Sequence, residues 1–284
     1  MIIAANYADK KFRRAQKLNS KTAKQWGADR VIEYTAEDID PKFRAANKEI
    51  LDNPRGGGYY LWKPYVFYRA YQEISDDDYL IYTDAGSVYV DSIQKLIDCM
   101  EKEQINLMLF SLQNEMLERK YTKRDAFILT GCDEEKYANT PQSIGGYMVC
   151  RKSAEVEDFF QEVLSYAQDI RIISDNPNTM GKDNYPEFID HRHDQSVISL
   201  ISKKRGIKKF RDPSQHGMIN RYPEDIEKRS GYPQIIDSHR FNVGSMFELW
   251  LRRTKIVAVV CGIEKKVKNS VFHFCLSCTR RHGG

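Results

Sequence analysis

An α/β fold is predicted, with a mostly parallel sheet flanked by helices. One domain over residues 1–245 carries a basic, partly apolar tail over 246–284. Three observations predict it. Apolar runs of strand length, at Ile2 to Ala5, Val31 to Tyr34 and Tyr79 to Thr83, alternate with stretches of helical period, the pattern of strands joined by helical crossovers. The runs lack a polar face, as strands buried on both sides do. The chain of 284 residues, 41% hydrophobic and 30% charged, is long enough to cover both faces of such a sheet.

The first expected strand, Ile2 to Ala5, ends at Asn6 and Tyr7. A helix from Phe12 to Trp26 follows, because Ala15, Leu18, Thr22 and Trp26 share one face. Val31 to Tyr34 is the second strand. Pro41 to Leu51 is a helix capped by Asp40, with proline at its first position. In NPRGGGYYLWKPY, Gly56, Gly57 and Gly58 form a loop that can fold tightly or lie against a ligand. Pro64 opens a helix with Phe67, Ala70, Tyr71 and Ile74 on one side, so the loop ends at a helix N-terminus, where phosphate is favoured. Neither the dinucleotide fingerprint nor the Walker spacing is present. Asp76, Asp77 and Asp78 read as a solvated turn before the central strand. A helix from Ser92 to Glu103 and a strand from Leu107 to Leu112 come next. Lys123, Arg124 and Asp125 read as a charged helix surface. Ser143 to Cys150 is a strand whose pair Gly145 and Gly146 marks a bulge or a close approach. Glu155 to Ala167 is an amphipathic helix. A polar loop from Asp175 to Pro186 then leads to His191, Arg192, His193, Asp194 and Gln195, and to a helix through Val197, Ile198, Leu200 and Ile201.

The stretch YTDAG carries the most chemistry. Asp84 stands at the carboxyl end of the central strand, and ligands of open α/β sheets bind outside those ends. A carboxylate there needs a cation or several donors if it is buried. Ala85 and Gly86 follow it, and the glycine lets a ligand or metal approach the backbone. A turn or cap is the plainer use of such an aspartate. Asp194 poses the same choice between an N-cap and a site carboxylate.

The net charge of +4 is too small to argue for a nucleic-acid partner. It resides in the tail: from Leu249 onward eight Lys or Arg face Glu264 alone, whereas the preceding residues hold 36 basic and 39 acidic side chains. Six cysteines without a framework spacing suggest reduced thiols in the cytoplasm. Cys275 and Cys278, with Cys261, His273 and His282 nearby, make a weak zinc pattern. No leader-like segment opens the sequence, and the longest apolar run, Ile256 to Ile263, is well short of the ~20 residues of a spanning helix.

Taken together and in order, RGGGYYLWKPY, YTDAG, YTKRD, HRHDQS and FRDPSQ resemble a group of bacterial sugar transferases linked to surface polysaccharides, within the glycosyltransferases of the Rossmann-like GT-A fold. The resemblance runs from about Met1 to Arg240. It implies a nucleoside-diphosphate sugar donor, UDP-sugar above all, and a glycan or lipid-linked acceptor. Asn6 and Tyr7 would lie near the base. Arg55, Gly57, Gly58, Trp62, Lys63, Asp84, Ala85 and Gly86 would line the donor, with Lys63, Arg55 or a helix N-terminus beside the diphosphate. It also implies a divalent cation, Mn²⁺ or Mg²⁺, held by Asp84 and by His239 of IIDSHRFN. GT-A enzymes usually carry a second acid two residues after the first; here that place is Gly86.

An inverting transferase needs a carboxylate base at the acceptor hydroxyl. Asp194 is the first choice, with His191 and His193 behind it. In retaining relatives an Asp-Gln pair such as Asp194 and Gln195 holds the donor sugar instead, so the stereochemistry stays open. Two other readings stand beside transfer. One is a non-catalytic sugar-binding or assembly protein on a degenerate scaffold. The other is a sugar-nucleotide pyrophosphorylase, which the sequence after the first strand does not favour. The tail, with Trp250 and aliphatic residues among Arg and Lys, suggests peripheral membrane contact, or else a final element covering the domain.

Overall fold

A computed structural model describes residues 1–253 of the chain. The strands are β1 (Ile2–Tyr7), β2 (Arg30–Tyr34), β3 (Tyr79–Thr83), β4 (Ser87–Tyr89), β5 (Leu107–Ser111), β6 (Tyr147–Arg151), β7 (Lys209–Arg211) and β8 (Ile236–Ser238). The helices of eight or more residues are α1 (Arg13–Gln25), α2 (Trp62–Gln72), α3 (Gln94–Lys102), α4 (Ala154–Ala167), α5 (His193–Lys204) and α6 (Met246–Arg253). Six strands form one sheet in the order β2-β1-β3-β6-β5-β7, and β4 pairs with β8 apart from it. Strand β6 is antiparallel to both of its neighbours, while β1 is parallel to β2 and β3, and β5 to β7. The sheet is therefore mixed and mostly parallel.

Side-chain alternation explains why the strands read as unbroken apolar runs. Ile3, Ala5, Leu80, Tyr82, Leu109, Met148 and Cys150 face one apolar layer, which Phe67 and Ala70 of α2, Phe159 and Phe160 of α4, and Ile198 and Ile201 of α5 complete. Ala4, Ile81, Met108, Phe110, Tyr147 and Val149 face the opposite layer, with Leu96, Ile97 and Met100 of α3. Both faces are covered, so neither can be polar.

Three local differences from expectation bear on the site. The glycine pair lies just before β6, in an irregular stretch, because other groups approach there. The helix expected from Pro64 begins at Trp62. The helix expected over Pro41 to Leu51 breaks at Asn47, whose side-chain amide donates to Phe43 O at 3.0 Å. The tail boundary also needs comment: α6 is docked on the body. Leu249 packs with Leu18, Val88 and Val243, Glu248 pairs with Arg14 at 2.7 Å, and Arg253 pairs with Asp237. The apolar run from Ile256 and the cysteine–histidine pattern lie outside the described residues.

Candidate active site

Four segments bring their polar groups to one point at the carboxyl end of β3. Lys63 comes from the first turn of α2, Asp84 from the end of β3, Asp194 from the first turn of α5, and the Gly145 carbonyl from the approach to β6. Lys63 Nζ lies 3.1 Å from Asp84 Oδ1 and 3.5 Å from Asp194 Oδ2, and it donates to Gly145 O at 3.3 Å. The Tyr82 hydroxyl donates to Asp84 Oδ1 at 3.2 Å. Backbone bonds fix the turn: Asp84 N donates to Gly146 O at 2.8 Å, and Ser87 N to Asp84 O at 3.0 Å. Asp84 opens this turn, but its carboxylate bonds to Lys63 and Tyr82 and not to the turn's N–H groups. Helix α5 starts without a side-chain cap, and the Asp194 carboxylate is turned to Lys63.

Exposure separates the two carboxylates. The Asp84 side chain is 43% exposed, those of Asp194 and Lys63 only 5% and 8%. Burial pushes the Asp194 carboxyl up to about 6; Lys63 pulls it down and Asp84 pushes it further up. Burial also lowers the Lys63 ammonium, but Asp194 and Asp84 outweigh it and hold it above the usual lysine range. The site thus has one reachable carboxylate, a fixed cation and a buried acid whose protonation changes near neutral pH.

The glycine pair makes this convergence possible. A Cβ on Gly146 would sit 3.2 Å from Asp84 Oδ2, and one on Gly145 3.0 Å from Gln195 Cβ. Gln195 Oε1 accepts from Gly145 N at 3.0 Å, and its Nε2 donates to Gln142 Oε1 at 2.6 Å. Both ends of that amide are engaged within the protein.

Next to Lys63 the chain makes an unusual turn. Gly56, Gly57, Gly58, Tyr59 and Tyr60 all have positive φ, between 49° and 99°. For a tyrosine this is costly, by roughly 1–2 kcal/mol each, and it persists only where packing enforces it. The Tyr59 and Tyr60 rings lie 5.2 and 5.8 Å from the His193 ring, and His193 itself has φ 48°. His193 Nδ1 bonds to Ile173 O at 2.9 Å, leaving Nε2 to accept from Arg55 Nε at 3.1 Å. His191 uses Nε2 on Ile172 O at 2.8 Å and accepts from Lys123 N at Nδ1, 3.2 Å away. Burial pushes both imidazoles down. With every ring nitrogen engaged, neither histidine is free to act as the reserve base expected of it; they are posts that seat α5 and Arg55.

Toward β1, Tyr7 stacks on Trp62 with centroids 3.8 Å apart, and Trp62 Nε1 donates to Gly56 O at 2.9 Å. Asn6 is fully buried and donates to Asn19 Oδ1 and Ser20 Oγ at 2.7 and 3.0 Å. Asn19 in turn donates to Thr83 Oγ1 and Ser87 O. Asn6 therefore braces the turn after β3 through its amide nitrogen, while its Oδ1 is buried without a partner.

Sequence reasoning missed the YTKRD segment as a structural anchor. Lys123 and Asp125 are buried, not surface charge. Asp125 accepts from Thr179 N, Thr179 Oγ1 and Met180 N at 2.6, 3.0 and 3.0 Å, and Lys123 donates to Asn176 O at 2.6 Å. Together they pin the polar loop that leads to Asp194. The compact alternation of charges was the only signal, and a solvated helix carries the same one.

The donor set was tested against a divalent cation, and it does not fit. Asp84 already carries an ammonium ion. Phe241 N donates to His239 Nδ1 at 3.0 Å, so the ring hydrogen sits on Nε2, a buried atom with no partner. An Nε2–H can donate but not ligate. Among the described residues no group of three His, Cys, Asp or Glu side chains could hold a metal ion; a cation here would have to rest on Asp84 alone, with substrate phosphate and water filling its other positions, and Asp84 is engaged with Lys63.

No protein-family model and no curated protein matches the sequence. Solved structures do match its fold. Mouse xyloside xylosyltransferase 1 superposes with a TM-score of 0.50 at 10% identity, over 86% of this chain and 99% of that one. The galactosyltransferase LgtC, in complex with donor and acceptor sugar analogs, matches with a TM-score of 0.46 at 14% identity, over 84% and 86%. The chain has the GT-A fold that its motifs led us to expect, with the Lys63, Asp84 and Asp194 cluster at the carboxyl edge of its sheet.

Proposed function

We propose that this protein is a glycosyltransferase that moves a sugar from a nucleoside-diphosphate donor, a UDP-sugar by resemblance, to a glycan or lipid-linked acceptor in surface polysaccharide synthesis. The observation that supports it is the cluster of Lys63, Asp84 and Asp194 on this fold. In transfer the bond from the anomeric carbon to the diphosphate oxygen breaks, and its electron pair leaves with the diphosphate. The acceptor oxygen bonds to that carbon and gives up its proton. Lys63 supplies fixed positive charge where negative charge develops. Asp194, with its carboxyl pushed up to about 6, is matched to accept that proton near neutral pH. Asp84, the accessible carboxylate, orients Lys63 and faces the donor.

The nucleoside end is assigned to the ends of β1 and β2. There a depression of about 580 Å³ opens among Arg13, Lys17, Glu33, Thr35 and Asp38. A lipid-linked acceptor would suit contact with a membrane surface through α6, where Met246, Phe247 and Trp250 are 46%, 67% and 52% exposed. Among the described residues no helix is long and apolar enough to cross a membrane.

Asp84→Asn is the test. Turnover with a panel of nucleotide sugars should fall by on the order of a hundredfold or more, with melting unchanged. Wild-type turnover in the variant sinks the assignment. Tight donor binding by the wild type without turnover on any acceptor tried would favour the non-catalytic reading.

A further inference from the structure

The place where a second metal-holding acid is expected is closed by the fold. A Cβ on Gly86 would lie 3.0 Å from Arg240 Cα and 3.5 Å from Arg240 N. The cause is the small sheet: β4 and β8 pair through Ser87 and Ser238, which lays the next residues on the turn after Asp84. Gly86 O accepts from both His239 N and Arg240 N, at 3.0 and 2.8 Å. Arg240 is held there with φ 57°, a left-handed conformation rare for a long side chain. A backbone position forced in this way is a place to look for function.

The residue whose backbone lies against the place of the missing acid is an arginine. The Arg240 side chain is exposed, and among the described residues it has no hydrogen-bond or ion-pair partner. Arg192, two residues before Asp194, packs over the Tyr121 ring at 3.7 Å and lies close enough to sense the Arg240 charge. Lys63 lies 3.1 Å from Asp84. The turn that carries Asp84 thus has Lys63 at its carboxylate and Arg240 at its glycine, where a second acid would otherwise stand.

We propose that Arg240, with Lys63, takes the place of a divalent cation: the two hold the donor diphosphate and its developing charge, so that binding and transfer need no metal. This rests on the transferase reading. A guanidinium is suited to the task, since it stays charged and can meet two phosphate oxygens at once. The free Nε2–H of His239 offers a neutral donor on the same segment.

Calorimetric titration of the full chain with UDP, GDP and CDP, in EDTA and then in Mn²⁺ or Mg²⁺, tests it. At least one diphosphate should bind in EDTA within about threefold of its affinity with metal. Arg240→Gln should weaken that binding by about tenfold or more, the loss expected for a charge-assisted hydrogen bond, with unchanged melting and with Arg240→Lys restoring part of it. Binding that vanishes in EDTA and returns with metal overturns the proposal and leaves the transferase reading standing. So does equal affinity in Arg240→Gln and wild type. Absence of binding to every diphosphate under both conditions removes the transferase reading, and this proposal with it.

Discussion

Asp194 is the residue at which burial and charge oppose each other most directly. Its carboxyl titrates at about 6 in the folded protein, against roughly 3.9 in an unfolded chain. The folded state therefore binds more protons than the unfolded state between those values, and stability falls as pH rises from about 4 through about 6. The shift corresponds to on the order of 2–3 kcal/mol, a net in which Lys63 has already offset part of the cost of burial. Asp194→Asn keeps the shape and removes the titration, so its melting temperature should gain on the wild type as pH rises from 5 to 7.5. Turnover should behave oppositely. In the wild type it should rise through about pH 6 as the base ionises, and in the variant it should drop about a hundredfold or more, while nucleoside-diphosphate affinity hardly changes. A melting difference that is flat with pH would show that the carboxyl is not the penalised group. Asp84 could be singled out only by its place at the carboxyl end of a buried strand, since a lone aspartate before Ala-Gly serves a turn or cap just as readily. The bracing of the turn by Asn6 was not legible, since a polar residue at a strand end looks the same whether it faces a ligand or braces a turn.

Two connecting elements, not the regular ones, set the position of that carboxylate. The left-handed turn from Gly56 to Tyr60 delivers Trp62 and Lys63 to the sheet edge, and two of its three glycines are required by space. A Cβ on Gly56 would meet the Tyr60 ring at 2.4 Å, and one on Gly58 the Leu51 Cα at 2.7 Å. The sequence showed that three glycines meant a tight turn but not its hand, because the two tyrosines that continue it are not left-handed by preference. The loop before α5 is the second element, and it hangs on Asp125. That carboxylate is fully buried and accepts three hydrogen bonds from Thr179 and Met180. Asp125→Ala should release the loop at a cost of about 1–3 kcal/mol. Limited proteolysis should then cut between 175 and 190, and hydrogen exchange at Thr179 and Met180 should accelerate. If loop protection is unchanged in the variant, Asp125 does not organise this segment. Anchoring of this kind is hard to read ahead, since it joins residues 54 and 55 positions apart.

For the molecule as a whole, the alternation of apolar runs and amphipathic stretches carried the architecture, because both faces of the sheet are buried and composition alone marks such strands. The short pieces β4, β7 and β8 escaped notice: three residues each leave no periodicity to detect. They matter nonetheless, since β8 brings the segment ending at Arg240 to Gly86 and leads on to α6. The end of the folded body follows from the same connection. Leu249 is 2% exposed, and α6 is tied to α1 through Glu248 and Arg14 and to β8 through Arg253 and Asp237. Removing a fully buried leucine with its surroundings costs about 2–5 kcal/mol; the exposed Arg14–Glu248 pair adds little, whereas loss of Arg253 leaves the buried Asp237 carboxylate without its partner. Truncation after Gly244 should therefore lower the melting temperature markedly, whereas truncation after Arg253 should leave it within a degree or two. The second variant isolates the basic run that follows: co-sedimentation with vesicles of anionic lipid, falling with salt, should be strong for the full chain and weak after its removal. Exposed Phe247 and Trp250 remain in that variant. Equal binding by both would assign the membrane contact to α6 itself, and equal stability of both truncations would mean that α6 is no part of the body.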